Sequence, residues 1–318
     1  MFRHSNGWQV LMLIIAIGCF GMWAPGCAEE VDPSEYFRQA PTERFGLLVV
    51  TYHEDKFGGE SRPQVSVGGF FARHAELSQE QVLSILNLPD VLGSNVRSLA
   101  HGNCLIKVRG FGDSELSAPE SVFVDLLDAG DIRLETGEID YRLTRRSFPD
   151  IFLDVTGVTY EGIFSATHAA WEHAVVSVSS RGSLEVGDFV IQMKMPSVPK
   201  LLEIGGVLHS GEYASIDWNQ DFLLRWAGHS PLMNEKRGSI FVELSAIELE
   251  RKVSLHCRSE DTGVMVIPIA TLAEIKRHVT GSTTLRMVVR RLGVRKIKAA
   301  GVESAELHLI SRDSVLLQ

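Results

Sequence analysis

Short runs of strand-forming residues recur along nearly the whole chain, and they leave few folds open to it. Residues 46–52 and 64–71 begin the series with Val, Tyr and Phe in extended patterns. Stretches such as Asp128-Ala129-Gly130-Asp131, which are typical of tight turns, separate the later runs. Strands of this length and spacing indicate a sandwich or a barrel. The sequence therefore predicts a mainly β fold.

A proline-containing stretch divides these runs into two series. Residues 195–200 hold two prolines, which remove backbone donors and stiffen the chain, so we predict a linker there. We expect an N-terminal β-rich domain over 46–195 and a C-terminal one over 200–318. The second has about seven runs, which predicts an immunoglobulin-like sandwich with Trp218 and Trp226 in its core.

Two short helices are expected among the strands. The first covers residues 78–88, where Ser78 and Gln81 have the spacing of a capping box. Pro89 ends it, because a proline disfavours helical backbone in the residue before it. The second helix is predicted at about residues 269–276.

The N-terminal 26 residues are predicted to be a signal peptide and not part of the fold. Residues 10–23 are almost entirely apolar, and Pro25 and Gly26 break the run before an acidic stretch. A short polar start, an apolar centre and small residues at the break are typical of a cleaved export signal. A retained membrane span is the alternative, because the run is just long enough to cross a bilayer. Residues 27–45, which are polar and contain prolines, are predicted to be a tether.

The end of this segment, Ala24-Pro25-Gly26-Cys27, resembles the lipobox of bacterial lipoproteins. In that family the cysteine is acylated and becomes the new N-terminus. The resemblance implies a lipid anchor on Cys27, an extracytoplasmic location and, from Ala28, placement at the outer membrane or cell surface. Ala24 stands where the family has Leu, so secretion without lipid is the alternative. Cys19 is a second candidate for the processed cysteine.

A second resemblance covers more of the chain. The pattern Cys257-x3-Asp261-x-Gly263-x3-Ile267-Pro268, followed by a short helix, is similar to uncharacterised lipoproteins of myxobacteria-like bacteria. Trp226 upstream and the turn that begins at Leu127 fit the same pattern. The resemblance implies a two-part extracytoplasmic β protein. It implies no activity, so it assigns no functional residue.

Two cysteines, Cys104 and Cys257, remain beside Cys27 once the predicted signal peptide is removed. Each alternates with apolar residues on one face of its run, which favours two free thiols in a core. They also fall in different predicted domains. A disulfide between them is the alternative, because an oxidising compartment permits one.

The sequence contains no motif of established chemistry. It has no Gly-x-Ser-x-Gly elbow and no glycine-rich phosphate loop. His168 and His173 are five residues apart, whereas a zinc-binding helix needs four. We therefore expect no cofactor, no metal and a non-enzymatic binding or structural role. The alternatives are a carbohydrate- or peptide-binding module, with Trp171 as the best candidate for an exposed aromatic, and a secreted hydrolase with a site between the domains.

Charge limits the partners that are expected. The formal net charge is −9, which argues against a nucleic-acid partner. One basic cluster, without acidic residues from 285 to 300, predicts a surface for anionic lipid headgroups or a glycan. The alternative is a charged edge strand that discourages strand pairing. The expected partners are a membrane, through the anchor, and an envelope protein or glycan. The cluster consists of Arg286, Arg290, Arg291, Arg295, Lys296 and Lys298.

Overall fold

The structure, a computed structural model, describes most of the chain from residue 42 onward. Its described residues belong to one compact unit, Ala40–Gln318. The predicted signal peptide, Cys19 and Cys27 lie outside them. The described residues are 42–55, 62–75, 77–86, 92–110, 123–137, 139–148, 155–165, 171, 174–227, 238–247, 251–279 and 284–318.

The protein is mainly β, which confirms the predicted fold class. Three helices lie in the described residues: α1 (Gln79–Leu86), α2 (Ser94–Arg97) and α3 (Ile269–Lys276). The strands are β1 (Thr42–Asp55), β2 (Arg62–Ala75), β3 (Cys104–Gly110), β4 (Val124–Leu127), β5 (Ile132–Thr136), β6 (Ile139–Arg142), β7 (Thr144–Ser147), β8 (Val155–Ser165), β9 (Val175–Ser180), β10 (Phe189–Lys194), β11 (Leu201–Ile204), β12 (Val207–Leu208), β13 (Tyr213–Ala214), β14 (Phe222–Trp226), β15 (Ser239–Ile247), β16 (Arg251–Glu260), β17 (Val264–Ile267), β18 (Leu285–Ile297) and β19 (Ser304–Leu317).

These strands form one large sheet and two small ones. The large sheet has eleven strands in the order β3-β16-β15-β18-β19-β1-β2-β4-β8-β7, with β13 beside β19. The first small sheet has the order β10-β9-β5-β6, and the second has the order β12-β11-β14-β17. β1 runs parallel to β19 and antiparallel to β2, so the first described strand lies inside the large sheet.

Both small sheets pack on the same face of the large sheet. Alternate residues of a strand point to one face. On β19, Leu307 and Leu309 belong to a core shared with the first small sheet. Val315 and Leu317, on the same face of the same strand, belong to a core shared with the second small sheet. The large sheet therefore carries a first core and a second core side by side.

The helices α1 and α2 cover the opposite face of the large sheet. Val82 of α1 packs with Phe45 and Leu47 of β1. Val96 of α2 packs with Phe241 of β15. The capping box predicted for α1 is present, because Ser78 and Gln81 exchange hydrogen bonds at 2.8 and 3.3 Å.

The predicted domain boundary at residues 195–200 does not divide the strands. β1 comes from the first predicted domain and pairs with β19 of the second, from Phe45–Ser304 to His53–Arg312. β3 likewise pairs with β16. The prolines indicated irregular backbone, and neither they nor the polarity pattern shows which strands are neighbours. The predicted boundary therefore falls where one sheet is continuous. Sheets packed face to face are present, but the immunoglobulin-like detail is not confirmed.

A disulfide joins Cys104 and Cys257, so the expectation of two free thiols is wrong. The two residues lie directly opposite each other on β3 and β16. Both contact the second core, as their alternation with apolar residues predicted. The pattern could not show that their strands are neighbours, and this adjacency is what brings the sulfurs together.

A buried ion pair lies between the two cores. Arg291 of β18 and Asp261 are 5% and 1% exposed, and their side chains meet at 2.5 and 2.9 Å. Arg291 also donates to Ser197 Oγ at 2.5 Å, to the Ser197 carbonyl at 2.7 Å and to the Ala227 carbonyl at 3.0 Å. Trp226 Nε1 donates to Asp261 at 2.9 Å. All five N–H donors of the guanidinium therefore have acceptors, which offsets the cost of burying the charge.

The stretch predicted as a linker is part of this junction. Its Ser197 carbonyl also accepts a hydrogen bond from Ser311 of β19 at 2.7 Å. Asp313 accepts one from the Leu201 backbone at 2.9 Å. Gly293 of β18 has no side chain, and the Met193 methyl group occupies the space beside it. A Cβ on residue 293 would lie 2.2 Å from that methyl group. Residues 195–200 are thus a packed crossing between two cores.

We expect Arg291→Met to lower the free energy of unfolding by about 3–5 kcal/mol, because it leaves the Asp261 carboxylate buried without its partner. Urea unfolding measures the loss. Adding Asp261→Asn should restore part of it, since the unpaired charge is then gone. The matched control is Arg286→Met, at an exposed position of the same strand, with an expected change of about 0.5 kcal/mol or less. Equal losses for the two single variants would contradict the structural role.

Candidate functional site

A cavity of about 600 Å³ lies on the helix-covered face of the large sheet. A volume of this size is in the range that encloses small organic ligands. β1 and the end of the β18–β19 hairpin form its floor, and residues of α1 and α2 form its sides. Its apolar lining includes Phe45, Leu47, Leu83 and Val302. We refer to it as the helix-side cavity.

Strand register explains how distant residues meet on the floor of this cavity. Lys296 of β18 lies opposite Glu306 of β19, and Glu306 lies opposite Leu47 of β1. Phe45 is aligned with Ser304 in the next row of the same face. Neighbouring strands place side chains about 5 Å apart, so these residues form two adjacent rows.

Hydrogen bonds attach the two helices to each other and to the floor. Ser94 Oγ of α2 donates to Glu80 of α1 at 2.9 Å. Gln79 of α1 donates to Ser304 of β19 at 3.2 Å. Arg97 of α2 donates to Glu306 of β19 as well. The sides of the cavity are therefore fixed relative to the sheet.

Arg97, Glu306 and His308 form a charged group at the cavity. Glu306 accepts from Arg97 at 3.0 Å and from His308 Nε2 at 2.8 Å. These contacts, that of His308 first, lower the pKa of Glu306 to about 2 although partial burial opposes the change. The Glu306 carboxylate is therefore ionised at neutral pH, and it accepts a hydrogen bond from the Nε2–H group of His308.

Two nitrogens of this group are buried and without a hydrogen-bond partner: His308 Nδ1 and Arg97 Nε. His308 is only 1% exposed. An unpaired buried polar atom is unfavourable, and native proteins satisfy most of them. Both residues line the helix-side cavity. The cavity therefore has unused hydrogen-bonding capacity in its wall.

Half-exposed and exposed cations stand around the same cavity. Lys296 and Lys298 line it, and both side chains are exposed. Neither forms an ion pair within the described part of the chain. Glu303, also in the lining, accepts the Arg44 backbone N–H at 2.5 Å. The unpaired charge near the opening is thus mostly positive.

The basic cluster predicted as one surface patch is divided between several places. Arg290 and Arg291 are only 6% and 4% exposed, so the prediction that they lie at the surface is wrong. Arg290 pairs with Glu243 at 2.8 Å on the helix-covered face, whereas Arg291 faces the junction of the two cores. Consecutive strand residues point to opposite faces, and 12 residues of strand span roughly 40 Å, so such a cluster cannot form one patch.

The other four members of the cluster remain at the surface. Arg295 donates to the Gln192 carbonyl of β10, and Arg286 is exposed toward the other end of β18. Lys296 and Lys298 are the two that reach the helix-side cavity.

Sequence reasoning missed Arg97, Glu306 and His308. The alternation Glu306-Leu307-His308 within an otherwise apolar run could have identified two of them. In a strand it places two ionisable side chains on the same face. Arg97 carried no such signal, because its role follows from where α2 packs.

Of the three tryptophans whose places were predicted from the sequence, Trp226 lies where it was expected, and Trp171 and Trp218 differ. Trp171, proposed as an exposed aromatic, is fully buried, and its ring lies 6.5 Å from that of Tyr141. Trp226 is buried in the second core as predicted. Trp218 packs only partly against that core, lies in a turn and has the Lys276 ammonium 5.9 Å from its ring centre. His168 and His173 lie outside the described residues.

Comparison with protein-family models and with curated proteins finds no match to this chain. Among the described residues, no group of His, Cys, Asp and Glu is arranged to hold a metal ion. In the same part of the chain, no helix has the length and apolar character needed to span a bilayer. The site therefore has to be interpreted from its own geometry.

We expect Glu306→Gln to lower the free energy of unfolding at pH 7 by about 1–2 kcal/mol. The reason is that Arg97 and His308 lose their hydrogen bonds to a charged, partly exposed carboxylate. The pKa of Glu306 is lower in the folded protein than its ordinary value of 4.5, so its contribution is present above about pH 4.5 and is lost toward pH 2. Chemical unfolding from pH 6 to pH 2 should show a weaker pH dependence for the variant. Glu274→Gln, at an exposed position of α3, is the control and should keep the wild-type slope.

Proposed function

We propose that the chain is an extracytoplasmic, non-enzymatic binding protein, held on a membrane by acyl chains on Cys27 and using the helix-side cavity as its binding site. In this proposal residues 1–26 are removed on export, and the protein faces the outer membrane or the cell surface. Acylation suits such a role, because acyl chains hold a folded protein at a membrane surface without a spanning helix.

The disulfide between Cys104 and Cys257 is the observation that carries the export part of the proposal. Disulfides form and persist in oxidising compartments outside the cytoplasm and are rare within it. The bond closes a loop with a sequence separation of 153 residues and joins β3, an edge strand of the large sheet, to its neighbour β16. A role in fixing the fold suits a compartment where the bond is maintained.

The number of cysteines supports Cys27 as the lipidated residue. The chain has four cysteines, and two of them form the disulfide. Removal of residues 1–26 would discard Cys19 and leave Cys27 as the single unpaired cysteine. An exported protein with one unpaired thiol would be open to unwanted pairing. Acylation of Cys27 would block that thiol.

The geometry of the helix-side cavity supports binding in preference to hydrolysis. A nucleophilic site needs a hydroxyl or thiol within hydrogen-bond reach of its base. Within the described residues, His308 donates its Nε2 hydrogen to the Glu306 carboxylate, and its Nδ1 atom has no partner, so no hydroxyl or thiol is bonded to it. A carbohydrate platform around Trp171 is also disfavoured, since that ring is buried.

We expect Cys27→Ser to abolish membrane association and the incorporation of a labelled fatty acid, because the acylated sulfur is gone. Fractionation of cells and metabolic labelling measure both effects. Cys19→Ser is the matched control and should label and sediment as wild type. If Cys27→Ser still labels and sediments with membranes, the anchor assignment is wrong. If only Cys19→Ser loses both properties, the anchor lies on Cys19.

Counting thiols gives a second and independent test. We expect the native protein, denatured without reduction, to react with no mass-tagged maleimide and, after reduction, to react with two. The two are Cys104 and Cys257, since a thioether on Cys27 resists reduction. Two reactive thiols both before and after reduction would mean that the disulfide is absent and would contradict export to an oxidising compartment. Three after reduction would mean that Cys27 is free, and four that the N-terminal segment and its Cys19 are retained without acylation.

A further inference from the structure

We propose that the ligand of the helix-side cavity is a carboxylate amphiphile: a molecule with one carboxyl head group and an apolar chain. This inference rests on the proposed binding function and names its ligand class. Three features of the cavity support it, namely its charge, its unpaired nitrogens and its apolar lining.

The charge of the lining favours a ligand with one negative charge. Three cations line the cavity, and so do two carboxylates. The Arg97–Glu306 ion pair neutralises one of each. Lys296 and Lys298 then face a single remaining carboxylate, that of Glu303. Counted with a neutral His308 ring, the excess of one positive charge matches a monoanion and disfavours a cationic ligand.

The two unpaired nitrogens favour a carboxyl group as the charged head. Arg97 Nε–H is a donor and needs an oxygen acceptor. His308 Nδ1 is a donor when the ring is protonated and an acceptor when it is neutral. A carboxylate accepts a hydrogen bond from the protonated ring, and a carboxylic acid donates one to the neutral ring. The two arrangements differ only in whether the shared proton lies on Nδ1 or on the carboxyl oxygen. A carboxyl head thus has the donor or the acceptor that each of the two nitrogens needs, in either state of the ring.

The remaining lining favours an apolar chain on this head. Phe45, Leu47, Leu83 and Val302 contribute apolar surface to the same cavity. Burial of each methylene of a ligand against such surface stabilises the complex through the hydrophobic effect. The lysines, being exposed, attract the anion at the opening, while the buried nitrogens receive it inside.

Photo-crosslinking on isolated membranes that hold the full chain tests this assignment. The probe is a long-chain carboxylic acid with a diazirine near the end of its chain, and the comparison probe is the alcohol of the same chain. We expect the acid to label peptides from β1, α1 and the β18–β19 hairpin, and dodecanoate to compete. The alcohol should label on the order of tenfold less, since it lacks the charge-assisted hydrogen bonds.

Two sets of variants separate the cavity from general partition into the membrane. Lys296→Gln with Lys298→Gln should lower labelling by on the order of tenfold. Arg286→Gln with Lys194→Gln removes the same charge at exposed positions outside the cavity lining and should leave labelling unchanged. Leu83→Trp should fill the cavity and block labelling, and an unchanged melting temperature would show that the fold is kept.

Several results would overturn the assignment. These are equal labelling by the alcohol, labelling outside the cavity lining, equal effects of the two double variants, or better competition by dodecyl phosphate than by dodecanoate. The last would assign a phosphate head instead. None of them affects the anchor on Cys27, which fractionation tests separately, so failure of the ligand class and failure of the proposed membrane location are distinguishable.

Discussion

The buried contact between Arg291 and Asp261 is the constraint on which the packing of the small sheets depends. Burial of the Arg291 guanidinium and the Asp261 carboxylate is tolerated here because all five N–H groups of the guanidinium have acceptors. The donor lies on β18, and the acceptors are Ser197 before β11, Ala227 after β14 and Asp261 before β17. The contact therefore sets the positions of segments that are far apart in sequence, in a way that apolar packing alone would leave less specific.

The same contact explains why one strand can serve two cores. β18 and β19 contribute apolar residues to the first core at one end and to the second core at the other. Between these ends, Arg291, Ser311 and Asp313 interrupt the apolar row on that face. Polar groups at this position are not solvent-facing. They receive the crossing at Ser197 and keep the two cores separate without dividing the sheet.

The sequence was sufficient to predict strands, the capped helix α1 and the helix α3, because each depends on local periodicity and capping. It also identified the residues that face the cores, including Cys104 and Cys257. It could not predict that β1 pairs with β19 or β3 with β16, since register between distant strands leaves no local pattern. The two-domain interpretation failed for that reason. Prolines in residues 195–200 correctly indicated irregular backbone, but irregular backbone is compatible with a buried crossing.

The candidate site was less predictable than the fold. A basic cluster drew attention to β18, yet strand alternation distributes its members over both faces, and only Lys296 and Lys298 reach the helix-side cavity. Glu306 and His308 acquire their properties from one another and from Arg97, which lies 209 residues before Glu306. The charge state and hydrogen bonding of these residues depend on contacts between distant segments, so no pattern within a single segment predicts them. Electrostatics at this site is a consequence of tertiary structure.

The parallel pairing of β1 with β19 has a consequence for the order in which the protein can form. Phe45 of β1 is aligned with Ser304 of β19, so that pairing cannot form until the chain has been synthesised through β19. Contacts between residues this far apart also slow folding, since a large loop must close first. The centre of the sheet is therefore completed only after β19 has emerged. Until then the chain lacks its finished core, and it stays extended enough for the export proposed above.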